Sequence, residues 1–149
     1  MITNSINLLK NTKREKLGNT IDALVFRIVR FVDLEKYVGE YAAHILWYNE
    51  GKDFGKELNF KSFDDIIKFC EDLKIGIVEV VNENPIQIRL DECITCSGLP
   101  NIGKPYCYFE AGFLAGCLES ILGKKVHVKE THCHGLRNDF CQFEAKILE

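Results

Sequence analysis

No uninterrupted apolar run in this chain approaches the ~18 residues that a membrane-spanning helix needs. The opening stretch, MITNSINLLKNTKREK, lacks the apolar region of a secretory signal. Both absences point to a cytoplasmic protein. Nor is there an excess of basic charge: the formal net charge is −3, so no global positive field exists to hold nucleic acid. Lys10, Lys13, Arg14 and Lys16 form a small basic patch that reads as a solvated tail. Internal repeats and low-complexity segments are missing. So are a GxGxxG fingerprint, a P-loop and a nucleophile elbow, which removes the recognisable nicotinamide, flavin, nucleotide and serine-hydrolase motifs.

Cysteine, by contrast, is plentiful. Seven occur in 149 residues. In a reducing compartment that number argues against a disulfide scaffold and for metal binding or buried thiols. With 46% hydrophobic and 28% charged residues, the composition is that of an ordinary globular domain with a real core.

Residues 1–19 are polar and aperiodic, and residues 20–149 read as one domain. From Thr20, Ile21, Leu24, Val25, Ile28, Phe31 and Val32 recur at helical spacing, although their β-branched content leaves a strand open. A second helix fits Val38 to Leu58. Gly51 and Gly55 within it mark either close packing or the helix end. Ser62 has the chemistry of an N-cap, with Asp64 and Asp65 in the first turn that follows. The period then switches from helix to strand. Strands are predicted at Gly76–Val81 and Ile86–Asp91, joined by the turn residues Asn82 to Pro85. A helix from Cys107 to Leu122 ends at Gly123, and its Ala111, Gly112, Ala115 and Gly116 suggest close approach to a sheet. Lys125–Thr131 and Cys141–Leu148 complete a second hairpin. The predicted fold is α+β: N-terminal helices on a mostly antiparallel sheet of about four strands, with one long Gly/Ala-rich helix between two hairpins.

The stretch ETHCHGLRNDFCQFEA concentrates metal-ligand chemistry. Cys141 shares a strand face with Phe143 and Ala145 and points inward. Glu130 and Cys133 have opposite strand parity, so they converge only if the chain bends after Glu130. Cys107 opens a helix, where a thiolate is stabilised. Spacing alone favours Cys93 and Cys96, the C-x-x-C half of a zinc site, completed by Cys133 and Cys141, with His132 and His134 as rival ligands.

The C-terminal half resembles the 4-vinyl reductase (vinyl-4-reductase) domain family, whose run is a Cys, a Gly-rich helix, Glu-x-x-Cys, a turn and Cys-x-Phe. Here these are Cys107, EAGFLAG from Glu110 to Gly116, Glu130 to Cys133, and Cys141-Gln142-Phe143. The resemblance is specific over residues 90–147 and looser over 17–58. The family includes a factor linked to chlorophyll biosynthesis, sensor domains of aromatic-responsive activators and stand-alone archaeal proteins. Its fold is related to haem nitric-oxide-binding domains and Golgi tethering-complex subunits.

The resemblance implies a structural zinc on Cys107, Glu130, Cys133 and Cys141, without Cys93 and Cys96. Those two are then loop thiols, a redox pair or a second metal half-site. His132 and His134 become neighbours of the site, and Cys70 and Cys117 core residues. It further implies an apolar pocket between the N-terminal helices and the sheet, for which His44, Trp47 and Tyr48 are candidate wall residues. The implied function is a small-molecule-binding sensor or carrier for an apolar or aromatic ligand, signalling through a homodimer or a separate protein. A tetrapyrrole vinyl reductase or its accessory factor, and a tethering-like scaffold, are the alternatives. Val128 stands two before the zinc-site Glu where an aromatic would favour phenol. Haem is not expected, because the Tyr-x-Ser-x-Arg motif of the haem-binding relatives is missing.

Overall fold

A computed structural model describes residues 12–30 and 34–149. The predicted first helix exists as α1, Ala23–Arg30. Phe31, Val32 and part of the N-terminal segment, with Lys10, lie outside the described residues. A one-turn helix, α2 (Leu34–Val38), precedes α3 (Glu40–Leu58). The predicted start at Val38 is therefore two residues early. Gly39, at φ 83° and ψ 154°, separates the two helices in a conformation that only glycine adopts readily. Ser62 caps α4 (Phe63–Asp72) as expected. The Asp65 N–H donates to Ser62 Oγ at 3.3 Å, and the Ser62 N–H donates back to Asp65 Oδ2 at 3.0 Å.

Strands β1 (Ile77–Glu83) and β2 (Ile86–Asp91) form the first hairpin, and β3 (Val126–His132) and β4 (Cys141–Ile147) the second. All pairings are antiparallel, in the order β1-β2-β4-β3, so the two hairpins join through β2 and β4. Alternation leaves one face buried: Val78, then Ile86, Ile88 and Leu90, then Phe143 and Ala145, then Val126 and Val128. Helix α5 (Tyr108–Leu122) covers that face, and every residue from Glu110 to Leu118 is buried. A helix buried all round needs a second layer behind it, and α3 supplies it.

The small residues of α5 divide between these two neighbours. Ala111 faces β3 across a cavity. Gly112 and Gly116 face α3, where a Cβ would collide with the carbonyl oxygens of Tyr48 and Lys52. Reciprocally, a Cβ on Gly51 or Gly55 would meet the carbonyl oxygens of Phe109 and Phe113. The expectation that the α5 glycines serve the sheet is thus corrected. Two helix backbones in direct contact need glycine on both sides, whereas side chains standing off a sheet leave room for alanine. Gly51 and Gly55 mark this crossing, and α3 runs through them to Leu58.

Glu119, on the last turn of α5, ties three elements together. It accepts from Lys52 and Lys56 of α3, each at 2.7 Å, and from the Val126 N–H of β3 at 3.0 Å. Burial raises its pKa, but the hydrogen bonds outweigh burial and bring it down to about 2. The folded pKa is depressed, so its stabilisation is present above the ordinary carboxylate range and is lost as pH falls toward 2. Glu119→Gln should cost about 2 kcal/mol at pH 7. In urea melts the gap from wild type should close as pH falls from 4.5 toward 2. A gap independent of pH would refute the charge argument. Among the described residues no helix is long and apolar enough to cross a membrane.

Candidate metal centre and adjoining cavity

The four residues nominated through the resemblance come together. Side-chain donor atoms of Cys107, Glu130, Cys133 and Cys141 all lie within 4.8 Å of one another. Each arrives by a different local device. Cys107 is the residue before α5, and its N–H donates to Glu130 Oε2 at 3.0 Å. Glu130 continues the inward face of β3 after Val126 and Val128. A register shift between Glu130 and His132 then supplies the expected bend, and Cys133 turns to the same side. The short 3-10 turn His134–Leu136 follows, with the Leu136 and Asn138 N–H groups donating to the Cys133 carbonyl at 2.9 and 3.1 Å. Gly135 sits against the Lys104 carbonyl, where a Cβ would not fit, and its own oxygen accepts from the Ile102 and Gly103 N–H groups. Cys141 opens β4 and is fully buried.

Two further thiols reach the same place. Cys93 and Cys96 are fully buried, and they form a second four-donor group with Cys107 and Cys141. The Sγ separations are 3.8 Å for Cys93–Cys107, 3.4 Å for Cys96–Cys107, 3.1 Å for Cys96–Cys141 and 3.7 Å for Cys107–Cys141. The set favoured by spacing alone, Cys93 and Cys96 with Cys133 and Cys141, therefore lacks Cys107, which belongs to both groups. His132 and His134 belong to neither. His132 Nδ1 pairs with Thr131 Oγ1 at 2.9 Å, and His134 Nδ1 accepts from the Gly98 N–H at 3.3 Å.

The electrostatics are those of donors lacking counter-charge. Hydrogen bonding from Cys107 holds Cys133 and Cys93 well below the usual thiol range, while its bond to Cys133 pushes Cys107 up. Burial, reinforced by Cys133, pushes Glu130 up to about 9, against the Cys107 N–H that lowers it. Glu130 Oε1 is buried without a hydrogen-bond partner, a costly condition for a carboxylate oxygen. A divalent cation replaces the missing protons and satisfies that oxygen. Thiolates with one carboxylate in a closed shell suit zinc, and four protein donors leave no open position for catalysis. Cys70 and Cys117 stand apart as core thiols, with burial pushing Cys70 up to about 12.

A cavity of about 210 Å³ adjoins the cluster, between α3, the start of α5 and β3. Tyr48, Pro105, Tyr108, Ala111 and Val128 line it, and Cys107 and Glu130 form its floor with the cluster. Tyr48 accepts from the Val128 N–H at 3.0 Å. Of the wall residues suggested by sequence, Tyr48 lines the cavity. His44 stands behind Tyr108, their rings stacked at 3.9 Å between centroids, and Trp47 lies under the Arg30 guanidinium. Sequence reading overlooked Tyr108, Pro105 and Ala111, because nothing in their spacing tells a cavity wall from a packed core. It also passed over Glu110, a buried carboxyl that accepts from the Thr95 hydroxyl and is pushed up to about 7, chiefly by burial.

The vinyl-4-reductase domain model matches residues 86–147, the segment that carries every donor of the cluster. The uncharacterized protein MJ1642 of Methanocaldococcus jannaschii is 50% identical over 135 residues, covering 91% of this chain and 83% of that protein. Among solved structures, a vinyl-4-reductase family protein from the same organism is similar at TM-score 0.68 and 25% identity, covering 97% of this chain and 89% of that one. The phenol-responsive sensory domain of the transcription activator PoxR, solved with phenol, shares the fold at TM-score 0.61 and 14% identity, covering 87% of this chain and 77% of that one. On sequence, site geometry and fold together, the chain belongs to the vinyl-4-reductase domain family.

Proposed function

We propose that the protein is a zinc-containing small-molecule-binding domain that holds an apolar ligand in the helix–sheet cavity and passes occupancy to a partner. The zinc is held by Cys107, Glu130, Cys133 and Cys141. The observation that carries this reading is the shared wall: Cys107 and Glu130 belong both to the donor cluster and to the cavity. A ligand there rests on a metal-stiffened floor, so its fit bears directly on how α5 and β3 sit against each other. The phenol-bound sensory domain supports the reading as a relative in fold.

The cavity also speaks to ligand size. At about 210 Å³ it is a little larger than the ~150 Å³ apolar cavity that takes up benzene. It suits about one ring and disfavours a tetrapyrrole as occupant. A fitting ligand at a hundredfold excess over Kd should stabilise the fold by about 2.7 kcal/mol. A thermal-shift screen of single-ring aromatics, short fatty acids and tetrapyrroles should give a concentration-dependent rise with a single-ring compound. Ala111→Leu should fill the cavity and abolish that rise while zinc remains bound. A response confined to tetrapyrroles, or turnover of one with NADPH, would replace this reading with the reductase alternative. As for the partner, the exposed Leu24, Ile28 and Tyr41 on α1 and α3 support a homodimer. Sedimentation equilibrium should find a dimer that Ile28→Lys converts to monomer.

A further inference from the structure

The two donor groups around Cys107 are halves of one larger constellation. One contains Cys93 and Cys96, the other Glu130 and Cys133, and both contain Cys107 and Cys141. We propose that the centre is binuclear: two zinc ions bridged by the thiolates of Cys107 and Cys141, the second held terminally by Cys93 and Cys96. This inference rests on the metal reading of the Glu130 group and adds a site to it.

Distances support the shared edge. Zinc–thiolate bonds of about 2.3 Å in a tetrahedron set neighbouring ligand sulfurs roughly 3.8 Å apart. The Cys107–Cys141 separation is 3.7 Å, and Cys93 lies 3.8 Å from Cys107. Cys96, at 3.4 Å from Cys107 and 3.1 Å from Cys141, needs only a small outward shift. The edge is thus already spaced for bridging, with a pair of terminal donors on either side.

The C-x-x-C turn is also built for the purpose. The Ser97 N–H donates to the Cys93 carbonyl and the Leu99 N–H to the Cys96 carbonyl, each at 3.0 Å, which curls both thiols to one side. The Arg27 guanidinium reaches across from α1 and donates to the carbonyls of Ile94 and Ser97, each at 2.8 Å. The Ile94 N–H donates to the Ile75 carbonyl at 2.9 Å. A turn pinned at so many points holds its thiols for a ligand rather than leaving them to pack as they fall.

Charge points the same way. If every donor ionises, five thiolates and one carboxylate are gathered in a buried volume. One divalent ion leaves most of that charge uncompensated, so the outer pair must stay protonated. Two ions with bridging thiolates bring the cluster much nearer neutrality, and buried charge demands compensation. On binding, each thiol releases its proton to solvent, and no electron is transferred.

The test is metal counting on the full chain. Reduced apo-protein titrated with zinc against a chromophoric chelator should take up two equivalents. Cys93→Ser with Cys96→Ser should take up one, and Glu130→Gln with Cys133→Ser should also take up one. Cobalt(II) supplies a readout of bridging that needs no variant. The paramagnetic resonance signal should grow to one equivalent and then fall as the second ion couples to the first through sulfur. A wild type that binds one zinc, with the Cys93/Cys96 double variant still binding one, overturns the binuclear centre and leaves the single-zinc reading intact. Uptake of no zinc by the wild type overturns both. Iron with acid-labile sulfide, or a Cys96–Cys141 disulfide in protein purified without oxygen, likewise overturns the two-zinc centre.

Discussion

Stripping the metal with a strong chelator should lower the melting temperature by roughly 8–16 °C and loosen the second hairpin before the rest of the chain. A ligand at a thousandfold excess over Kd stabilises the native state by about 4 kcal/mol. In a domain of this size each kcal/mol moves the melting point by roughly 2–4 °C. The donors come from the Cys93–Cys96 turn, the start of α5, the end of β3 and the start of β4, so the metal joins segments that the backbone ladder does not connect at that end. Without it, Glu130 and the thiols repel one another in a space that water barely enters. Amide exchange should therefore accelerate first in residues 130–142, while α3 and the middle of α5 stay protected. The Cys107→Ser/Cys133→Ser/Cys141→Ser variant should reproduce the chelated melting point and ignore chelator. An unchanged melting point and unchanged exchange after demonstrated metal loss would show that the hydrophobic core alone holds the hairpin.

At the helix crossing, Gly112→Ala should destabilise the protein by about 1–3 kcal/mol, and Gly112→Val by more, enough to threaten folding. The sign is the informative part. In an exposed helix interior, alanine is better than glycine by about 1 kcal/mol. Here the added carbon falls on the Tyr48 carbonyl oxygen of α3, and helix backbone cannot rotate aside as a side chain can. The helices must separate along a contact that also involves Gly51, Gly55 and Gly116. Denaturant melts should show the midpoint falling with an unchanged slope. Asp53→Ala, on the exposed side of α3, serves as the control and should stay within about 0.5 kcal/mol of wild type. A Gly112→Ala variant as stable as wild type would mean that the crossing relaxes freely.

Much of this molecule was legible in local sequence, for identifiable reasons. Alternation in Ile86–Leu90 and Cys141–Ala145 and the cap chemistry at Ser62 and Gly123 depend on neighbours within a few residues, and each element they announce is present. The bend after Glu130 followed from strand parity, because an inward Glu130 and an inward Cys133 cannot lie on one regular strand. The family pattern then selected Cys107, Glu130, Cys133 and Cys141 from a chain with other cysteines to offer. Those four side chains do converge.

The partners were a matter for the packed chain. Four-residue spacing of small side chains marks a close approach but not its target, and only the crossing of α3 over α5 assigns Gly112 and Gly116 to a helix and Ala111 to the sheet side. The sheet order β1-β2-β4-β3 arises because β2 and β4 offer matching apolar faces to one helix, a long-range choice that no local pattern encodes. The same choice carries Cys93 and Cys96 to Cys141: the turn that holds them follows β2, and β2 pairs with β4, whose first residue is Cys141. Local sequence spelled out which side chains could bind a metal. Strand pairing decided that two such groups would share an edge, because it alone brings residues 45 apart in the chain to within 3.1 Å.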